Sequence, residues 1–573
     1  MSKEAQIIAE INEKASDYEG RMADFMTDVG EWGDMFKVKP PARKQNTFSN
    51  PRQTEFFRAC NAVGTLMYRM MTAADPFFSL QPVQMNVDYD DLDTLTHVFK
   101  TQLKYARYRP NLLRACLFTN VFGTVIAQED YRVVGVSVFG RRIPVTTMIP
   151  RVLDQVMFDR GTTDIAEADW VATADITSSS DLMRLGLEAD SIGTPWNKKA
   201  LEAAAKNKEE NNTINQYVMN RLRRAGFSSD DDALLKKKEL LMYYGKLDTM
   251  NDGIEYVCAL VNRKFLVRFH ANNFQHGRRP FRVAKYVDFD TALGYGQGQL
   301  LANHHRAMDA NRQKAQDLFS FGAYNMWTRV KDSVINEDLV IRPLEVVDVD
   351  NQNALQPLSP NLQAGEAILK LDEILKQEFR TASGASDTLQ AIATDATATA
   401  ANLAQTEALR NIAVKAELAA DSLVREHLEN IHANNVQNIR EPFNINKSGI
   451  AKRIYPMHLQ MDVEIEAKVT TDRDFQPQRL EKLISTLQIL TSTKSNHPDQ
   501  MQISVLPLVR QIAYMLEVNP NEVIMRPDAA PMPGQMGSGD MAGLAAMMTP
   551  GAGGPGGALG VGSTPVGPVL TAP

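Results

Sequence analysis

The feature that most constrains this chain is a pair of helical segments separated by a short β-prone module. From Gln297 to Phe321 the apolar positions Leu301, Met308, Ala315, Leu318 and Phe319 share one face, and the steps of seven residues are those of a helix packed against other helices. Tyr324 to Val349 is β-prone and is closed by Pro357 and Pro360. Helix then resumes, with Ala364, Ile368, Leu371, Leu375 and Phe379 on a common face and the pairs Glu366/Lys370 and Asp372/Lys376 one turn apart on the exposed sides. Each segment is roughly 20 residues, or about 30 Å at the helical rise. The predicted order is therefore helix, small β module, helix.

The flanking regions read as mixed structure. Ile7, Ile11, Tyr18, Met22, Phe25 and Val29 form one apolar helical stripe, and a second helix after Pro51 stops near Asp75-Pro76, where proline removes a donor. Asp90 to Phe122 reads as helix and Tyr131 to Thr177 as β structure. The polar stretch Ala200 to Lys238 reads as an exposed helix with a mobile Ser228 to Asp232 link. A β-hairpin is predicted from the alternation of Ile254, Tyr256, Cys258 and Leu260, then Phe265, Val267 and Phe269. Later come an amphipathic helix through Leu409, Ile412, Ala416, Leu423, Val424 and Ile431, a strand over Met457 to Val469, and helices around Leu480 to Leu490 and Met501 to Leu516. Pro527 to Pro573, dominated by Gly, Pro, Ala and Met, is expected to be disordered. The class is α+β, mostly helical, and 573 residues call for several sub-domains.

Charge and chemistry narrow the functions. A net charge of −7 argues against a surface that coats a polyanion. The start MSKEAQIIAEINEK lacks the order of a signal peptide and no run of about 18 apolar residues occurs, so a soluble, unsecreted chain with no membrane partner is expected. Cys60, Cys116 and Cys258 are too scattered for a metal quartet and read as small buried hydrophobes. The histidines offer no catalytic or metal spacing; His304 and His305, adjacent on a helix, read as surface or inter-subunit hydrogen-bonding groups. Gly294-Tyr-Gly-Gln-Gly298 lacks the Gly-Lys-Ser/Thr ending of a phosphate loop and reads as a tight turn. No catalytic residue, cofactor or metal is predicted.

Between Thr381 and Leu409 there is no lysine or arginine. In a ring of identical copies such a stretch would leave passing DNA ungripped, because repeated cations contacting phosphates dominate DNA affinity. An Ala-rich helix packed internally explains the same composition.

Several segments resemble the portal family of tailed phages: Met71-Thr-Ala-Ala-Asp-Pro76-Phe77-Phe78-Ser-Leu80 at a helix end before a strand, Pro150-Arg-Val-Leu-Asp-Gln-Val-Met-Phe-Asp159 with Asp169-Trp170-Val171, and His276-Gly277-Arg-Arg-Pro280-Phe281 leading to Tyr295-Gly296-Gln-Gly298. Their order, spanning about Ile7 to Val518, carries the likeness. The resemblance implies a portal fold with wing, stem, clip and crown, closed into a ring usually of twelve. Residues 1–296 would hold N-terminal helices and wing, 297–321 and 361–382 the stem helices, and 322–360 the clip. Residues 383–477 would hold a tunnel loop, a long wing helix and a returning strand, 478–526 a helical crown, and 527–573 the tail.

By the same resemblance Ser383, Ser386, Asp387, Asp395 and Thr399 are candidate tunnel-lining residues, and Trp327, Arg329, Lys331, Asp332, Glu337 and Asp338 candidate clip contacts. The implied partners are further copies of the chain, the major capsid protein, the large terminase subunit that supplies ATP hydrolysis, a tail adaptor, and double-stranded DNA without sequence preference. The implied location is the portal vertex of the virion, reached through the host cytoplasm. The alternative is a scaffolding or head-tail interaction protein without a channel. A nucleotide-dependent enzyme using the Gly294 to Gly298 turn is the third reading.

Overall fold

The computed structural model describes residues 2–41, 49–83, 89–135, 142–159, 161–192, 196–206, 237–272, 277–289, 291–323, 326–329, 355–358, 362–384, 398–447, 450–469 and 485. The chain divides into two units, Met1–Arg473 and Asp474–Pro573. Only Ser485 of the second is described, in helical conformation, so the helices expected at 480–490 and 501–516 and the tail at 527–573 lie outside the described residues.

In the first unit, the N-terminal stripe folds as two helices, α1 (Lys3–Arg21) and α2 (Ala23–Phe36), broken at Met22. The break corrects the single helix expected there. Tyr18 packs on the rings of Phe158 and Trp170, whereas Trp32 meets Phe25 and the start of a later helix, so each half is turned toward its own partner. A stripe at helical spacing is blind to a break of one residue.

Helix α3 (Glu55–Thr72) ends ahead of Asp75-Pro76 as expected, and β1 (Phe78–Pro82) follows. The helical region after it is split into α4 (Tyr89–Tyr105) and α5 (Tyr108–Phe122) by Arg107, held at φ 53° and ψ 40°. Pro110 explains the split: proline is accepted in the first turn of a helix but not in the interior of one running through.

The β structure forms two main antiparallel sheets. Strands β2 (Thr124–Gly135), β3 (Arg142–Arg151) and β9 (Phe281–Lys285) order as β3-β2-β9. A meander of β4 (Val156–Phe158), β5 (Trp170–Ser178), β6 (Lys237–Lys246), β7 (Glu255–Val261) and β8 (Phe265–Ala271) keeps its sequence order. The predicted β7–β8 hairpin is present. Asn262 and Arg263 carry the two positive φ values, 49° and 57°, that a two-residue primed turn demands. Arg263 is held there by ion pairs to Glu19 (2.5 Å) and Glu239 (3.1 Å).

Between β5 and β6 lie α6 (Ser179–Ile192) and α7 (Lys198–Lys206). The exposed helix expected over Ala200 to Lys238 is corrected at both ends: Leu201 and Ala204 are buried, and Lys237-Lys238 opens β6. Long aliphatic stems let lysine enter a strand that composition assigned to solvent. The proposed link at 228–232 lies outside the described residues.

The long helices are α8 (Gln297–Ala323) and α9 (Leu362–Ser383), and between them β10 (Met326–Arg329) pairs antiparallel with β11 (Leu355–Leu358). Pro357 lies within β11, opposite Trp327, rather than closing the β region. A two-stranded ribbon has a free edge that tolerates a missing donor. Beyond come α10 (Ala398–Ala420), a π-helical turn at Asp421–Arg425, and α11 (Glu426–Asn438). The hairpin of β12 (Phe443–Lys447) and β13 (Ile450–Ile454) follows. The strand expected from Met457 starts as a 3-10 turn and becomes β14 (Val463–Ala467), which returns to pair with β1. All three cysteines are fully buried, and burial pushes the Cys116 and Cys258 thiols up to about 12.

Candidate functional site: the paired long helices and their root

Helices α8 and α9 run together as a hairpin, with Leu301, Met308, Ala315 and Phe379 buried. The expected face of α9 is only partly correct, because Leu371 is 47% exposed, as is Ile374 at 54%. Asp372, assigned to the exposed side, is buried instead. The reason is a third partner: residues 49–53, just before α3, lie against both helices.

Ser49 accepts from Gln313 through its carbonyl (2.8 Å), while its amide and hydroxyl donate to Asp317 Oδ1 at 2.9 and 2.7 Å. The Gln53 amide donates to Asp309 Oδ1 (2.9 Å), and its side-chain Nε2 donates to the Met308 carbonyl (3.0 Å) and to Asp372 Oδ1 (2.9 Å). Arg52 faces Asp309 at 3.4 Å, and Lys376 pairs with Asp372 at 2.9 Å. One extended segment thus ties both helices at the same level.

Burial drives the Asp309 carboxyl up to about 6; the Gln53 amide and Arg52 oppose that rise, while Asp372 adds to it. One turn earlier, His305 is fully buried between the rings of Phe56 (5.7 Å) and Phe379 (6.2 Å). This corrects its reading as a surface or inter-subunit group. Burial, reinforced by Arg52, lowers His305 to about 4. Its Nε2 stands 3.6 Å from Asp309 Oδ2, too far for a hydrogen bond.

The base of the hairpin rests on glycine. Gly123, at φ 81°, closes α5, and a Cβ there would sit 2.1 Å from the Gly294 carbonyl oxygen; one on Gly296 would sit 2.2 Å from the Gly123 amide. Only glycine lets these two backbones meet. The Gly294–Gly298 stretch, expected as a tight turn, is instead a packing joint: Gly294 to Gly296 lie against Gly123 and residues 297–298 already open α8. From it, Gln297 Nε2 donates to Tyr286 Oη (2.9 Å) and to the Ser383 carbonyl (2.8 Å), pinning the start of α8 to the end of α9.

Of the residues proposed to line a tunnel, Ser383 is described with its side chain: it is 2% exposed and its hydroxyl donates to the Arg380 carbonyl at 2.8 Å. A side chain so covered cannot face a bore, and Ser383 leaves that set. Thr399 falls in the first turn of α10, while Ser386, Asp387 and Asp395 lie outside the described residues. Of the clip candidates, Trp327 and Arg329 sit on β10, opposite Pro357 and Leu355. Lys331, Asp332, Glu337 and Asp338 lie outside the described residues. Sequence reasoning missed the 49–53 segment, Asp309 and Asp372. A signal for part of it was present: His305 lies four residues after Leu301 and three before Met308, a core position of the seven-residue pattern.

The family model for the phage SU10 portal protein matches residues 140–546, well over half of the chain. The chain belongs to this family of tailed-phage portal proteins, structural components of the virion capsid. The match starts later than the likeness seen in the sequence and runs into the Gly- and Pro-rich tail. No curated protein matches the chain. No helix among the described residues is long and apolar enough to cross a membrane.

Proposed function

We propose that copies of this chain close into a ring at one capsid vertex, a channel through which double-stranded DNA is packaged, retained and ejected. The observation that carries the reading is the rooted α8–α9 hairpin, in a portal-family chain, followed at once by a stretch without lysine or arginine. In this reading α8 and α9 are the stem. The β10–β11 module with Trp327, Arg329, Lys331, Asp332, Glu337 and Asp338 is the clip that docks the packaging motor and later a tail adaptor. Across the clip region, Arg329, Lys331 and Arg342 stand against Asp332, Glu337, Asp338, Glu345, Asp348 and Asp350, an acidic surplus that favours basic partner surfaces. The sheets form the wing against the major capsid protein, and residues 478–526 the crown.

Ser386, Asp387, Asp395 and Thr399 border the bore. Neutral and acidic groups there leave the phosphates without cationic contacts, so DNA slides and no sequence is read. The chain supplies shape and the separate terminase supplies ATP hydrolysis.

Electron microscopy of the purified chain tests this directly: rings near twelve times the 63.8 kDa protomer mass, with an axial hole wide enough for duplex DNA, are expected. Particles without an aperture under assembly conditions would end the proposal. Asp387→Lys or Asp395→Lys should slow packaging more at low salt than at high salt, since the added phosphate contacts are screened. A defect independent of salt would point to misfolding instead.

A further inference from the structure

Two surface features at opposite ends of α5 complement each other. At its N-terminal end a cleft of about 430 Å³ is floored by Pro76, Phe77, Leu103 and Pro110. Lys104, Arg107 and Arg109 stand exposed around it, and none of the three forms an ion pair among the described residues. Asp75, also on the rim, is neutralised by Lys100 at 3.0 Å. The chain holds Arg107 in a left-handed conformation at this lip, a backbone state costly for a residue with a side chain.

At the other end of α5, the loop after β9 presents an apolar knob. Phe289 is 70% exposed, the highest among the large apolar side chains of the described residues, and Val287 two residues before it is also exposed. The loop is held rather than loose. Tyr286 N donates to the Gly123 carbonyl (2.8 Å), Tyr295 N donates to the Val287 carbonyl (2.9 Å), and the Phe289 ring stands edge-on to Tyr295 at 6.5 Å. Lys285 is spent inside the loop on Asp288 (2.8 Å) and the Thr291 carbonyl (2.9 Å), and it reaches the Thr163 carbonyl at 3.4 Å. That contact sets the loop carrying the exposed acids Asp164 and Glu167 against Lys285 and so beside the knob.

An exposed aromatic among acids and an apolar cleft among unpaired cations are matching surfaces. The 15 residues of α5 hold them apart by about 22 Å, so a chain cannot fill its own cleft. We propose that Phe289 of one copy docks into the Phe77 cleft of a second copy, with Asp164 and Glu167 of the neighbouring loop facing Lys104, Arg107 and Arg109. Because knob and cleft are different patches of one molecule, the contact is head-to-tail and repeats from copy to copy, as the subunits of a ring must. The inference rests on the ring reading above and names an interface for it.

Mass photometry of the full chain across a concentration series tests it. Phe289→Ala should raise the concentration needed for ring formation about tenfold or more, the loss expected for one large apolar anchor. The pair Arg107→Glu with Arg109→Glu should do the same, and adding Asp164→Arg and Glu167→Arg to that pair should recover part of the loss. All these side chains are exposed, so melting temperatures should match the parent chain. Rings that form at parental concentrations in both the Phe289 and the arginine variants would overturn this contact while leaving the ring reading standing. A parent chain that stays monomeric would sink both.

Discussion

The meander sheet β4–β8 and the root of the α8–α9 hairpin are both buried, yet they are held by opposite means. In the sheet, Leu240 to Tyr244 and Tyr256 to Val261 are buried without alternation, the pattern of strands covered on both faces. Trp170 stacks on Tyr243 at 6.0 Å and Tyr18 closes over Trp170. The hairpin root instead buries Asp309, Asp372, His305 and Gln297: residues 49–53 donate to both carboxylates, Gln297 Nε2 donates to the Ser383 carbonyl, and both ring nitrogens of His305 stay without a hydrogen-bond partner between aromatic rings. Apolar burial is strong but non-directional, whereas hydrogen bonds to charged groups specify one angle and one level. The sheet supplies stability; the root specifies how two long helices leave the body.

Breaking each region should show this difference. Leu241→Ala, in the fully covered β6, should cost about 2–5 kcal/mol in urea unfolding with little change in hairpin geometry. Gln53→Leu removes the donor shared by Met308 and Asp372 and should cost about 1–3 kcal/mol. Its mark should be faster hydrogen exchange in α8 and α9, with the β5–β7 amides unchanged. Equal acceleration in the sheet would show that the root does not act locally.

Titration sharpens the contrast further. Asp309, raised from 3.8 to about 6, stabilises fully below pH 3.8 and loses that contribution as pH rises through 6. His305, lowered from 6.5 to about 4, stabilises above pH 6.5 and loses its contribution as pH falls through 4. The two slopes oppose each other across pH 4 to 6, so the contributions of this pair should largely cancel there. Asp309→Asn should leave stability falling by about 1–2 kcal/mol as pH drops through that window. His305→Gln should leave the opposite slope; parallel slopes in the two variants would refute the balance. The smallest effect is expected from Arg306→Ala, whose partly exposed pair with Glu31 (2.6 Å) should contribute about 0.2–1 kcal/mol, less in high salt.

Much of the fold was legible where one periodicity sufficed. The helix, β module, helix order, the β7–β8 hairpin and the buried cysteines followed from spacing alone. Helix breaks at Met22 and Arg107 were not legible, because a break of one or two residues leaves the apolar stripe intact. The burial of Asp372 was hidden as well: at helical spacing it pairs with Lys376 whether the pair faces water or Gln53.

Taken alone, the sequence determined the class, the two long helices, the cation-free stretch after them and the likeness that the portal family match bears out. These depend on local period and composition, which the chain carries residue by residue. Tertiary structure decided that residues 49–53 clamp the hairpin, that His305 and Ser383 lie inside, and that Gly123 and Gly296 share one joint. Those contacts join positions up to 319 residues apart, as from Gln53 to Asp372, and no local pattern records which distant backbone will arrive to satisfy a buried carboxylate.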